Sequence, residues 1–207
     1  MDSTDAADLI AELHEEKAEH EADDRFRNRA ALLIALLAAI LAIGGMGGGN
    51  ATDDMVASNI KASDTWAFYQ AKNMRQTMYE LAVDDLEGKL AAGTIAPAER
   101  PAAEARIKAY KATIARYDSE PDPEAPNDPL KGEGKKQLSA QAKAHEEAFD
   151  VASARDDAFD LAEVLLQLAL VLGSVAILAV NRWILGLSGL LGIAGAVLTL
   201  NGFLLLF

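Results

Sequence analysis

The sequence predicts an all-α integral membrane protein with three transmembrane helices and a long helical, coiled-coil-like external segment between the first and the second. Three observations predict it. Charge is segregated: of 51 charged side chains in 207 residues, none lies in 30–49, and only Glu163 and Arg182 lie in 161–207. One water-soluble core would interleave charged and apolar residues along amphipathic elements, so uncharged stretches of this length are read as membrane spans. Helix breakers are confined: Gly and Pro are absent from 1–43 and 135–172, and four of the six prolines fall in 121–129. Finally, apolar residues recur at helical spacing between the spans, and no segment alternates with the two-residue period of a strand.

The composition is consistent with this once it is divided. A mean hydropathy of +0.06 and a hydrophobic content of 51% resemble a soluble domain, but they average two unlike populations. The net charge of −13 divides into −6 in residues 1–29, −7 in 50–160 and zero in the spans. Such an acidic chain lacks the clustered Lys and Arg that phosphate backbones require, which excludes nucleic acid as a partner. With no cysteine there is no disulfide framework, thiolate metal site or thiol redox motif.

Residues 1–29 read as an acidic cytoplasmic helix, with ten acids against four bases and Leu9, Ile10 and Leu13 as its apolar positions. Asp2, Ser3 and Asp5 suit a helix start. Glu12, Glu16 and His20 share a face at i, i+4, i+8, which suits either a solvated helix or a docking or cation-binding arm. His14 and His20 are six residues apart, about 600° of helix, so they point to different sides and make no zinc site. The first span is 30–49. Its apolar run is too long for a signal peptide, and it reads as an uncleaved anchor. Five glycines in 44–50 are expected to break the helix at the outer interface.

Residues 50–160 read as an external helical hairpin or stalk. A helix is expected from Thr52 to about Ala92, with Phe68, Ala71, Arg75, Met78, Ala82, Leu86 and Leu90 as one stripe. Ile60, Ala67, Met74 and Leu81 repeat at seven-residue steps beside it, giving a broad face for helix–helix packing. Gly93, Pro97 and Pro101 mark a turn, and a second helix with Ile107, Tyr110, Ile114 and Tyr117 on one side runs to Tyr117. The Pro-rich stretch 121–129 reads as an exposed extended loop. A third helix is expected from Lys135 to Val180 without a break, its second half forming the span 161–180. Residues 181–183 form a tight turn, and 184–207 the third span. Arg25, Arg27 and Arg29 precede the first span and only Lys61 follows it closely; with Arg182 at the hairpin tip, this places the N-terminus in the cytoplasm and 50–160 outside.

Candidate sites fall in three groups. Asn59, Asp64, Trp66, Phe68, Tyr69, Gln70, Lys72, Asn73 and Arg75 form the densest local signature, with three aromatics in four residues. They read either as a packed helix junction or as a recognition surface for a lipid headgroup or partner helix. Glu163, Gln167 and Ser174 follow Asp160 along one side of the second span; an ionisable or polar group there is a functional candidate unless it reaches the interface or bonds across helices. Gly186, Gly189, Gly192, Gly195 and Ala196, with Ser188, bring small residues to one or more faces of the third span and suit close helix packing. No nucleophile–base pair, paired carboxylates, phosphate loop or nucleotide fingerprint is present, so no catalytic, metal or cofactor residues are assigned and no enzyme activity is expected.

The run Asn-Ile-x-Ala-Ser-Asp-x-Trp-Ala-Phe-Tyr-Gln-Ala-Lys-x-x-Arg-Gln at 59–76 resembles the membrane protein family catalogued as domain of unknown function 4337. The order of one span, a charged helical loop and a two-span hairpin resembles it too, over most of 20–205. The resemblance implies a bacterial inner-membrane location and brings no activity. The expected function is a self-assembling structural or scaffold component with membrane lipids, other copies of itself or an unidentified membrane protein as partners. A subunit of a multimeric channel or small-solute conduit, and a lipid-binding accessory protein, are the alternatives.

Overall fold

The computed structural model describes residues 3–207, and side chains within 13–207 except Glu15 and Ala18. The expected cap residues Asp2, Ser3 and Asp5, the apolar positions Leu9 and Ile10, and Glu12 of the acidic row lie outside the described side chains. Four helices make up 85% of the chain: α1 (Ser3–Ala91), α2 (Arg100–Asp118), α3 (Lys135–Ala179) and α4 (Arg182–Leu204). There is no strand among the described residues. α1, α3 and α4 each carry a segment long and apolar enough to cross a membrane. The chain divides into two compact units, the first comprising α1 up to Asp53 with Ala152–Phe207, the second Asp54–Val151.

In the first unit the size of side chains is inverted relative to a water-soluble core. Ala30, Ala162, Ala169, Ala176, Ser188, Gly192 and Gly195 are buried, with Leu37, Leu166 and Phe159 as large side chains among them. Leu33, Ile40, Leu41, Leu170 and Leu191 pack onto that centre. Leu32, Leu36, Leu178, Leu190 and Ile193 point outward, most of their surface uncovered. Small residues inside let helix backbones approach closely, and large apolar residues outside match a hydrocarbon solvent rather than water.

The expected helix break at 44–50 does not occur; α1 runs straight through the five glycines. Glycine weakens an isolated helix by about 1 kcal/mol per residue, but here the missing side chains admit an aromatic ring. A Cβ at Gly47 would lie 2.6 Å from the Phe159 ring and 2.9 Å from that of Phe203, and a Cβ at Gly202 would lie 2.7 Å from Phe159. Phe159 therefore fills a slot floored by glycines from α1 and α4 and meets Phe203 edge-on at 4.9 Å. Local propensity loses to this packing.

The link between α3 and α4 is only Val180 and Asn181, shorter than the expected 181–183. The Asn181 side chain accepts the amides of Trp183 (2.9 Å) and Ile184 (3.3 Å), so the helix already begins at Arg182. Val180 takes the left-handed conformation (φ 47°), which costs a β-branched residue about 1–2 kcal/mol and is held by the Asn181 amide bonding to the Ala176 carbonyl at 3.1 Å.

In the second unit the buried side of α1 is only partly the expected one: Ala82, Leu86 and Leu90 of the expected stripe are half-buried, and its earlier positions are not. Met55, Ala62, Tyr69, Gln76, Val83 and Leu90 form one row at steps of seven, and Ser58, Thr65, Lys72, Tyr79 and Leu86 another; all are buried or half-buried. Ile60, Met74, Met78 and Leu81, from the expected packing face, are more than half exposed, and Val56 beside them is half exposed. Apolar periodicity marks the most hydrophobic face. The face that is buried within the chain is instead the one that carries Tyr69, Lys72 and Tyr79, which meet Lys135 of α3, the connecting loop, and Tyr110 and Tyr117 of α2.

That loop is also not extended. Three successive turns, closed by amides of Ala125, Asp128 and Lys131 on carbonyls three residues earlier, fold it back, and Asp122 and Asp128 each accept the amide two residues on. Proline fixes φ in such turns as readily as in an extended chain. A single bridge pairs Pro121 with Gly132 and closes the loop at its base.

Candidate functional site

The signature at 59–76 lies on α1 in the second unit and organises the loop base. Lys72 projects from the buried row, its side chain 6% exposed. Its ammonium meets Glu120 Oε2 at 3.2 Å, donates to the carbonyl of Glu133, and lies 3.8 Å from the Glu133 carboxylate. The Phe68 and Tyr117 rings flank it, their centroids 5.3 and 5.7 Å away. A buried ammonium needs its donors satisfied, and here the Glu120 carboxylate and the Glu133 carbonyl accept from it while the Glu133 carboxylate adds its charge nearby. Occupied in this way, Lys72 clasps both ends of the 119–134 loop to α1.

The loop ends are shaped to be clasped. The Glu120 carbonyl accepts the amides of Glu133 (2.9 Å) and Gly134 (3.4 Å). Gln137 Oε1 accepts the Glu120 amide at 3.3 Å, and Gln141 donates to the Gly132 carbonyl at 2.9 Å. Gly132 sits at φ 112°, where a Cβ would strike the Glu120 carbonyl, and Gly134 leaves no room for a Cβ against the Glu120 amide.

One turn towards the N-terminus, Trp66 Nε1 donates to Glu146 Oε1 on α3 at 2.7 Å, and Tyr69 packs edge-on against the indole at 5.4 Å. Lys135 donates to Asn73 Oδ1 at 3.0 Å and lies 6.0 Å over the Tyr69 ring. Beyond Lys72, Tyr79 meets Tyr110 and Tyr117 of α2 at 5.1 and 6.1 Å. Trp66, Phe68, Tyr69, Lys72 and Asn73 are thus brought together, with the polar atoms of Trp66, Lys72 and Asn73 turned to partners inside the unit. Asn59, Asp64, Gln70 and Arg75 are exposed and not part of this network. The Trp66–Glu146 bond is peripheral. Trp66→Phe and Glu146→Gln should each cost about 1 kcal/mol and together little more than either alone. Chemical denaturation of the purified chain measures this double-mutant cycle.

On α3, Gln167 donates to Glu163 Oε1 at 2.8 Å and Ser174 donates to the Leu170 carbonyl at 2.8 Å; all three side chains are exposed. On α4 the small residues are not equivalent. A Cβ at Gly192 would lie 2.6 Å from Leu37 and one at Gly195 2.7 Å from Leu166, while Gly189 has Leu33 only at 3.9 Å and Gly186 faces open space. Ala196 is half-buried, and Ser188, fully buried, donates to the Ala169 carbonyl at 2.6 Å. No group of three or more potential metal ligands occurs among the described residues.

Sequence reasoning did not find Glu120, Glu133, Gln137 and Glu146, the partners that give the signature its role. They lie 48 to 80 residues from the side chains they bind, or bind only one another. Gly132 and Gly134 after the Pro-rich stretch were the available signal, because paired glycines after a loop mark a close backbone approach.

A family model described as "Domain of unknown function (DUF4337)" matches residues 26–205. No curated protein and no solved structure matches the chain.

Proposed function

This chain belongs to the DUF4337 family, and on that premise, which carries no activity, we propose that it is a non-enzymatic, multi-pass inner-membrane protein that self-assembles as a structural or scaffold component. The observation that carries the reading is the uncovered row Val56, Ile60, Met74, Met78 and Leu81 on α1, outside the apolar stretch and on the side away from the buried seam. A contiguous apolar row in water is unstable unless another surface covers it. Its seven-residue step suits an identical helix, and a symmetric pair would cover both copies with the same residues. The three apolar helix segments and the outward-facing leucines support membrane insertion. The arginines at 25, 27, 29 and 182 support a cytoplasmic N-terminus.

The chain has no cysteine, so single cysteines at Ile60, Met74 or Leu81 report contacts directly. Mild oxidation in native membranes should link each of them into dimers, and a cysteine at Lys108, exposed on α2, should stay monomeric. Equal linking at all four positions, or none, would remove the self-assembly reading.

A second reading has its own support. Glu163, Gln167 and Ser174 are exposed along α3, and polar groups facing lipid are costly unless neighbours or water meet them. In an assembly whose axis they face, the same row would line a conduit. Proton or solute flux in vesicles, lost in Gln167→Leu while the oligomer persists, separates a conduit from a scaffold.

A further inference from the structure

The membrane reading leaves unexplained a cavity of about 600 Å³ in the first unit, lined by Ala22, Arg25, Phe26, Arg29, Arg182 and Leu185. Two of its guanidinium groups come from α1, at i and i+4 and so on one face. The third comes from the first residue of α4, more than 150 residues later in the chain. Arg27, between the first two, points to another side of the helix and does not line the cavity. Among the described residues none of the three lining arginines is in an ion pair; the pairs present all lie in the second unit. Nor do Asp23 and Asp24, although adjacent in sequence, line the cavity. Three arginines lining one open cavity, none in an ion pair among the described residues, suit an anion, and the planar fork of a guanidinium fits two phosphate oxygens at once.

The surroundings narrow the ligand. Arg29 is followed at once by the apolar stretch 30–49, and Arg182 stands between the apolar stretches of α3 and α4. Phe26 and Leu185 give the cavity an apolar side, and Trp183, next to Arg182, is 90% exposed. An aromatic side chain in that setting suits the headgroup level of a bilayer. We propose that the Arg25–Arg29–Arg182 cavity binds the phosphate of an anionic lipid headgroup, the acyl chains leaving along the apolar surface beside Phe26 and Leu185. Basic pockets between spanning helices take such headgroups by charge and by shape together. The assignment to lipid rests on the membrane reading above; the affinity for phosphate esters does not.

The test uses the full chain with Trp66→Phe, which leaves Trp183 as the only tryptophan. Membrane residence is scored separately, by retention in membranes after an alkaline carbonate wash, so failure there counts against the membrane reading alone. Trp183 emission is then followed in phosphatidylcholine vesicles containing rising phosphatidylglycerol. The Arg25→Gln/Arg29→Gln/Arg182→Gln variant should lose about five-fold in apparent affinity per arginine removed, with an unchanged circular dichroism spectrum. Arg27→Gln should retain the parent response. Competition by millimolar inorganic phosphate would keep the anion site and overturn its assignment to lipid. An undiminished response in the triple variant, or an equal loss in Arg27→Gln, would overturn the site itself.

Discussion

Gly47→Ala is expected to lower the stability of the full chain by about 2 kcal/mol, although alanine is the better helix former. The new methyl would sit 2.6 Å from the Phe159 ring. That ring cannot swing aside, because Gly202 approaches it from α4 and Phe203 stands edge-on at 4.9 Å. Gly45→Ala, two residues earlier with open space around it, should instead be neutral or stabilise by up to about 1 kcal/mol. Phe159→Ala should be the more damaging change, about 3–5 kcal/mol, since the residue is 4% exposed and its loss empties the slot. Combining Phe159→Ala with Gly47→Ala should cost less than the sum, because the added methyl occupies part of the cavity. Denaturant midpoints of the detergent-solubilised protein read all four variants. A gain at Gly47→Ala as large as that at Gly45→Ala would show that helix propensity, not ring packing, governs this segment.

Lys72→Met is expected to open the Pro-rich loop. Removing one member of a buried ion pair typically costs 3–5 kcal/mol. The Glu120 side chain is 35% exposed and can recover water, which reduces the expectation to about 2 kcal/mol. With the Glu133 carbonyl released, the amides of the loop ends should exchange faster, and limited proteolysis should cut within 121–131 well before the wild type is cut. Lys111→Met provides the contrast. Its ion pair with Glu87 is shorter, at 2.6 Å, but both side chains are about half exposed, and a change of under about 0.5 kcal/mol with no new cleavage is expected. If both lysines behave alike, burial is not what makes Lys72 matter.

These two sites also show where sequence reading stops. The three apolar segments of α1, α3 and α4 were legible because each residue contributes to transfer out of water nearly independently of its neighbours. The breaks between helices at 93–101 and 121–129 were legible because Gly and Pro act on their own φ angles, although the second was read as extended and is folded into turns. The straight course of α1 through 44–50 was not, because it depends on Phe159, more than 100 residues away. The inward face of α1 in the second unit was only partly read, for a related reason. Apolar spacing picked out Leu86 and Leu90, which are half-buried, but also Ile60, Met74 and Leu81, which are exposed, while burial went to Lys72, Gln76 and Val83. The clasp needed Glu120 and Glu133, and nothing at 59–76 names them. Arg25, Arg29 and Arg182 were read as an orientation signal, and their convergence on one cavity requires the α3–α4 turn to be in place.

By itself, then, the sequence determined that the chain is helical, which stretches are apolar enough to span a bilayer, and that helices stop at the proline-bearing segments 93–101 and 121–129. Each of these follows from additive, local free energies. Only the tertiary structure decided which glycines are packing surfaces, which face of α1 is left uncovered, and which charged residues are paired. Those outcomes depend on the shapes and partners of residues far apart in the chain, and no local sum contains them.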